Sequence, residues 1–276
     1  MNAQLSTLGL AYTYNAVNNR LSRSETAGTA PTVTQNYGYD AIDQVTSVNY
    51  GTGRSETFAY DPVGNRSSVT DSITGTTAYT ANALNQYTTV DSLSAPAYDA
   101  NGNLAAFTGW TYTYDTENRL TAASKTGTNA SFTYDWRRRQ VSRTINGNTT
   151  WFIYDGWNLL AEYSSTATLR TKYIHGPMVD EILAKVDDSG AIYYHQDALG
   201  STVALIGAPT IRDTSDSILA QSAYAKRFLF TGREWIAEAG LYHYRNRTYS
   251  PTWEDFFRRI RSCSMEMMSI CVDTWQ

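Results

Sequence analysis

The residues in this 276-residue chain that could do chemistry are few, and their spacing narrows what they could do. Its three histidines, His175, His195 and His243, are dispersed and make no His-Glu-x-x-His pattern, so neither a metal nor a cofactor is assigned. His195, Asp197 and Ser201 are the residue types of a nucleophilic triad and lie close together. Yet Leu199-Gly200-Ser201-Thr202 is not a Gly-x-Ser-x-Gly elbow, and triad partners usually lie far apart in sequence. A glycine-containing turn between strands is the simpler reading, and no catalytic residue is assigned. Asp99-Ala100-Asn101-Gly102-Asn103 echoes the oxygen spacing of a calcium loop but lacks the distal bidentate glutamate. Arg137-Arg138-Arg139, with Arg143 and Trp136, could touch phosphates. In a chain of net charge −4 they read as a solvated strand face, and nucleic acid is not an expected partner. Both cysteines, Cys263 and Cys271, fall in the last fourteen residues, which excludes a disulfide framework or a Cys-rich zinc site elsewhere.

The elements that carry these residues are set by a repeat. An Asp or Asn follows an aromatic stretch at Tyr14-Asn15, Tyr39-Asp40, Tyr60-Asp61 and Tyr79-Thr80-Ala81-Asn82. The same pattern returns at Tyr98-Asp99, Tyr114-Asp115, Tyr134-Asp135 and Tyr154-Asp155. The intervals are 25, 21, 21, 17, 16, 20 and 20 residues. Before each acid lies an alternating run such as Tyr112-Thr113-Tyr114 or Phe132-Thr133-Tyr134, the period of a half-buried strand. After it comes a turn such as Asp61-Pro62-Val63-Gly64-Asn65, whose residues bond local backbone or tolerate positive φ. A second strand then leaves, so each unit is a β-hairpin. Hairpins are marginal alone and must stack. Residues 1–165 are therefore expected to form a continuous, curved antiparallel sheet held by tyrosine and tryptophan pairs. The first unit starts within fourteen residues of Met1 without a capping element, as in a piece of a longer array.

Composition agrees. The chain is 42% hydrophobic and 17% charged, with 21 tyrosines, a balance that suits strands and polar turns. No run approaches the ~18 apolar residues of a membrane-spanning helix, and Met1-Asn2-Ala3-Gln4 does not open a secretory signal.

The Tyr-Asp repeats resemble the YD repeats of bacterial Rhs proteins and the related teneurin and insecticidal-toxin subunits. The second half resembles the Rhs-repeat-associated core. Its signature reads Tyr193-Tyr194-His195-Gln196-Asp197-Ala198-Leu199-Gly200-Ser201-Thr202, then Phe230-Thr231-Gly232-Arg233-Glu234. It closes with Ala239-Gly240-Leu241-Tyr242-His243-Tyr244-Arg245-Asn246-Arg247-Thr248-Tyr249-Ser250-Pro251. The resemblance covers about residues 10 to 252. It implies a strip of sheet spiralling into a hollow shell, plugged by the core motif near a C-terminal toxin that the family encloses and delivers. Family members are secreted or displayed on the cell surface by dedicated machinery. The residues that match the family pattern are Asp61, Gly64, Asp99, Asp115, Asp135 and Asp155 in the repeats, and Asp197, Gly200, Gly232, Arg233, Gly240, Leu241, Tyr242, Tyr244, Arg245 and Tyr249 in the core.

The pattern stops at Thr252. The family continues with Leu-Gly-Arg-Phe and an Asp-Pro segment that contributes aspartates to self-cleavage in many members, a task needing two carboxyls of unlike pKa. Here Trp253-Glu254-Asp255-Phe256-Phe257-Arg258-Arg259-Ile260-Arg261-Ser262 follows instead. With one base restored before Trp253, codons for this stretch can spell Gly-Arg-Phe-Leu-Gln-Thr-Asp-Pro-Ile. Residues 253–276 are thus expected to be an out-of-frame tail, too short for an autonomous toxin. Asp255 does not match the cleavage motif, and no autoproteolysis is expected. In the competing reading Thr252 caps an amphipathic helix whose apolar face is Trp253, Phe256, Phe257 and Ile260.

The sequence therefore predicts an all-β, non-enzymatic fragment of an Rhs-type shell. Repeats occupy 1–165, the associated core 166–252 and the aberrant tail 253–276. Its partners would be a toxin cargo and secretion machinery, with self-association through exposed sheet edges. The alternative is a surface adhesion module whose exposed Tyr and Trp stack on glycans.

Overall fold

A computed structural model describes residues 8–27, 30–178, 180–197, 200–207, 228, 233–236, 238–244, 247–250 and 255–256. All the regular structure among them is β. The chain divides into two compact units, the first containing Met1–Pro96 and the second Ala97–Arg259.

The first unit is an eight-stranded sheet in sequence order. Its strands are β1 (Leu8–Tyr14), β2 (Arg20–Ala27), β3 (Val33–Tyr39), β4 (Val45–Asn49), β5 (Ser55–Tyr60), β6 (Arg66–Asp71), β7 (Gly75–Ala81) and β8 (Tyr87–Val90). The second unit holds a twelve-stranded sheet, also in sequence order. It begins with β9 (Ala97–Tyr98), β10 (Leu104–Phe107), β11 (Trp110–Tyr114), β12 (Leu120–Lys125), β13 (Thr128–Tyr134) and β14 (Gln140–Ile145). It continues with β15 (Asn148–Asp155), β16 (Asn158–Ser164), β17 (Leu169–His175), β18 (Ile182–Asp187), β19 (Gly190–Gln196) and β20 (Thr202–Gly207). A four-stranded sheet follows, made of β21 (Glu234–Ile236), β22 (Leu241–Tyr244), β23 (Arg247–Ser250) and β24 (Asp255–Phe256). Every neighbouring pair is antiparallel, as chained hairpins require.

Alternation puts one face of each strand in the core. In the first unit Tyr37, Val45, Val48, Tyr50, Phe58 and Val69 cluster there, with Tyr39, Tyr60 and Tyr79 packed against them. In the second, Phe152, Leu159, Tyr173, Ile182, Tyr194 and Phe228 do the same. The opposite face carries paired hydroxyls, for example Thr13 with Ser22, Thr70 with Thr76 and Thr80 with Thr89. These are the cross-strand pairs that stabilise an exposed sheet face.

Two expectations change. The strip is not continuous over 1–165: it breaks between Val90 and Ala97, then runs unbroken from β9 past residue 165 to β20. The break has a local cause. Asp91 takes φ 44°, and Pro96 has no N–H for a ladder and holds its predecessor out of the α region. The second difference concerns the helical reading near 253–260. Asp255 and Phe256 pair as β24 with Ser250 and Tyr249. An open strand edge offers backbone partners directly, whereas so short a helix is marginal. The rest of 253–276 lies outside the described residues.

Candidate functional site

The Tyr-Asp signature is a turn of fixed chemistry. The acid or amide leaves its strand, and its Oδ1 accepts the backbone N–H groups two and four residues on. Asp61 accepts from Val63 and Asn65 at 3.0 and 2.8 Å, Asp99 from Asn101 and Asn103 at 2.9 and 2.8 Å. Asp115 accepts from Glu117 and Arg119 at 2.9 and 3.0 Å, and Asp135 from Arg137 and Arg139 at 2.9 Å each. Asn15, Asp40 and Asn82 build the same turn. The residue three after the acid is left-handed throughout: Asn18, Asp43, Gly64, Asn85, Gly102, Asn118, Arg138 and, after Asp197, Gly200. Arg138 alone in this series has a long side chain at φ 65°, and its 3.2 Å pairing with Glu117 is solvent-exposed. Arg138→Asn is expected to raise stability by about 0.5–1 kcal/mol, read as a melting-temperature gain of about 1–3 °C.

Two further contacts turn separate hairpins into a ladder. The residue four after the acid reaches the next turn: Asn19 donates to Asp43, Asn65 to Asn85 and Asn103 to Asn118 at 2.6, 3.1 and 2.8 Å. Arg119 donates to the Asp135 carbonyl, and Arg139 to that of Gly156. The tyrosine of each pair reaches back. Tyr39, Tyr60, Tyr114, Tyr134 and Tyr154 donate their hydroxyls to the carbonyls of Arg20, Val45, Leu104, Leu120 and Gln140, all within 2.7–2.9 Å. A register shift precedes each of these tyrosines, and the bulge re-aims the side chain towards the preceding repeat.

Three positions depart from the sequence reading. Asp155 stays in β15 opposite Asn158 and is exposed, so the eighth unit closes through the two residues Gly156 and Trp157. His175 takes the tyrosine's place at its own register shift, with Nε2 2.7 Å from the Leu159 carbonyl. Gln196 holds the same place before Asp197, whose Oδ1 accepts the Ser201 N–H at 2.9 Å. The His195, Asp197 and Ser201 grouping is therefore one more turn of the ladder: Asp197 serves as a backbone acceptor and His195 points out of an exposed strand position. The signal for His175 and Gln196 was the period itself, since they follow Tyr154 at 21 and 42 residues.

Three of the turn carboxylates, Asp99, Asp115 and Asp135, are held ionised. Burial pushes Asp99, Asp115 and Asp135 up, but the hydrogen bonds outweigh it and all three lie below the ordinary aspartate range. The donors are Asn103 and backbone amides at Asp99, and the Arg119 and Arg139 amides and guanidinium groups at the other two. A depressed folded value gives stability that is complete above the unfolded pKa of about 4 and is lost as pH falls through the folded value. The melting temperature should therefore hold steady from pH 7 to about 5 and drop steeply below about 4. A flat profile down to pH 3 would contradict this. The Asp99 oxygens are already occupied by Asn101 and both amides of Asn103, which explains how the loop echoes a calcium site while serving as a turn.

The core motif sits against the last repeats. Glu234 of β21 meets Arg143 of β14 at 2.6 Å, with side chains only 7% and 13% exposed. Arg233 meets Asp180 at 2.9 Å and lies over the Tyr244 ring. Phe228 packs edge-on against Tyr173, and its carbonyl accepts the Thr202 hydroxyl at 2.7 Å. Gly240, at φ 63°, turns β21 into β22. Leu241, Tyr242 and Tyr249 are buried, and the rings of Tyr242, Tyr244 and Tyr249 lie 6.2–6.4 Å apart. Gly232 and Arg245 lie outside the described residues. Between this sheet and the repeats is a cavity of about 70 Å³ lined by Arg139, Trp157, His175, Arg233, Glu234 and His243 among others, room for a few water molecules.

A ladder of Tyr-Asp hairpins packed against a small aromatic sheet is specific enough to compare. The family model of the teneurin YD-shell matches residues 6–209. The chain belongs to the teneurin YD-shell family. It is 29% identical over 236 residues to the tRNA3(Ser)-specific nuclease WapA of Bacillus spizizenii, and 28% over 235 residues to the tRNA nuclease WapA of Bacillus subtilis. Each match covers 77% of this chain and 10% of the relative. Two solved structures share the YD-shell fold at 17% identity. A chain of the Photorhabdus luminescens Tc holotoxin pore superposes with a TM-score of 0.66, over 94% of this chain and 16% of that one. A chain of a TcdB2–TccC3–Cdc42 crystal structure gives 0.67, over 95% and 17%. This YD-shell chain thus spans a tenth of the length of the nucleases and about a sixth of the toxin chains.

Proposed function

We propose that this chain is a stretch of wall from an Rhs-type shell that encloses and delivers a C-terminal toxin in bacterial competition. The observation that carries this is the ladder running through the repeats of the second unit into the core motif, with the core sheet fastened onto β14 by Glu234 and Arg143. In this reading residues 1–165 are wall hairpins, 166–252 are the associated core, and 253–276 are an out-of-frame tail that replaces the Asp-Pro segment. The wall is non-enzymatic: its aspartates fold turns rather than move protons. The activity in the relatives' names is not assigned to this stretch. A second reading, adhesion to glycans, rests on the exposed Trp136, Trp151 and Trp157. Binding on a glycan array that is lost on replacing them would favour it.

The test of enclosure uses the product of the gene with the frame restored and all upstream repeats present. Under protease, the domain that follows the core should survive while the shell is folded and be digested once it is denatured. Digestion at the rate of the isolated domain would overturn the proposal.

A further inference from the structure

Two Asn-Gly pairs stand in the chain, Asn101-Gly102 and Asn146-Gly147, and each is followed by a further asparagine. A glycine after asparagine leaves its backbone nitrogen unshielded and conformationally free, which makes the asparagine amide thermolabile. Both asparagines are exposed at turns, so solvent access does not distinguish them. Their side chains do. Asn146 sits in the two-residue turn from β14 to β15 at φ 47°, the left-handed form that such hairpins need. Its Oδ1 accepts the Asn129 N–H at 2.8 Å and its Nδ2 donates to the Gly127 carbonyl at 3.3 Å, which ties it to the neighbouring hairpin. Asn101 gives the turn only its backbone N–H, donated to Asp99. Among the described residues its side chain makes no hydrogen bond.

We propose that Asn101 is a site of spontaneous deamidation and isoaspartate formation, with water as the co-reactant, and that the fold protects Asn146 from the same reaction. The Gly102 N–H is held by the Asp99 carbonyl at 3.0 Å, and opening that bond frees the nitrogen that reacts. It loses its proton to solvent base and attacks the Asn101 side-chain carbonyl carbon. The new N–C bond closes a succinimide, the Cγ–Nδ2 bond breaks, and Nδ2 leaves as ammonia. Water then opens the ring at either carbonyl, giving aspartate or isoaspartate. At Asn146 the same attack must first break both side-chain bonds, and each lowers the reactive population.

The place of Asn101 gives the reaction a structural consequence. Isoaspartate routes the backbone through the side chain and adds a methylene between Asp99 and Asn103. Asn103 is fully buried, and its N–H and amide reach Asp99 at 2.8 and 2.9 Å while the amide also reaches Asn118 at 2.8 Å. A longer backbone cannot keep all three contacts. The turn joins β9, the two-residue edge strand of the second sheet, to β10, and only two residue pairs hold that strand. Ageing at Asn101 therefore unfastens the first hairpin of the second unit and leaves the later repeats intact.

Peptide mapping of the full chain, incubated at mildly alkaline pH and sampled over weeks, tests this by mass spectrometry with fragmentation that separates aspartate from isoaspartate. In the folded protein Asn101 should convert about tenfold faster than Asn146 or more. In the chain unfolded by denaturant the two should convert at similar rates, since both are Asn-Gly-Asn. Hydrogen exchange of the aged protein should show β9 and β10 losing protection while β13 to β16 keep theirs. Asn101→Gln, which keeps the backbone N–H but closes the corresponding ring far more slowly, should age without that loss. Equal rates at the two sites in the folded protein would overturn the proposal. So would an Asn101 that stays intact when folded yet converts when unfolded, or an isoaspartate at 101 that leaves β9 and β10 protected.

Discussion

Glu234→Ala is expected to destabilise the attachment of the four-stranded sheet by about 3–5 kcal/mol, the usual cost of stripping one partner from a buried ion pair. The Arg143 guanidinium would remain over the Phe152 ring with its carboxylate gone, in a position only 13% exposed. Hydrogen exchange should show the change most clearly in β21 to β23, which should lose protection while β9 to β13 keep theirs. Glu234→Gln should be milder, since it keeps an acceptor for Arg143. Replacing both partners, Glu234→Gln with Arg143→Met, should recover much of the loss, because the cost lies in the charge left behind. Equal loss of protection throughout the second unit would show that the sheet is not held by this pair.

Asp135→Ala should cost about 2–4 kcal/mol in the repeat sheet. It removes the acceptor for the Arg137 and Arg139 amides and the partner of the Arg139 guanidinium at 2.7 Å. Asp135→Asn should cost about 1 kcal/mol, because Asn15 and Asn82 already build this turn with an amide oxygen. Denaturant midpoints of the two variants, with exchange rates over 134–139, measure the difference. If both substitutions cost the same, the turn depends on charge rather than on the two backbone acceptances.

The turn was legible in the sequence because it is local: one acid, two amides and a left-handed residue, all within five positions and repeated near every twenty. The hairpins followed from it. The ladder between turns was not legible, since the reach of Arg139 to Gly156 or of Tyr154 to Gln140 depends on which hairpins are neighbours and on a bulge that re-aims a ring. His175 was missed for a different reason: it was weighed only as a metal ligand and set aside, while its spacing of 21 residues from Tyr154 marked it as a tyrosine's substitute. The Glu234 and Arg143 contact joins residues 91 apart, and no local pattern announces it.

The central claim, that this chain is wall from a toxin shell, is tested most directly by sequencing the gene across codons 250–276 and well beyond in both directions. The account predicts Tyr-Asp repeats upstream, and downstream a shifted frame that reads Gly-Arg-Phe and Asp-Pro before opening into an unrelated domain. Stop codons in that frame, with no further repeats upstream, would contradict it.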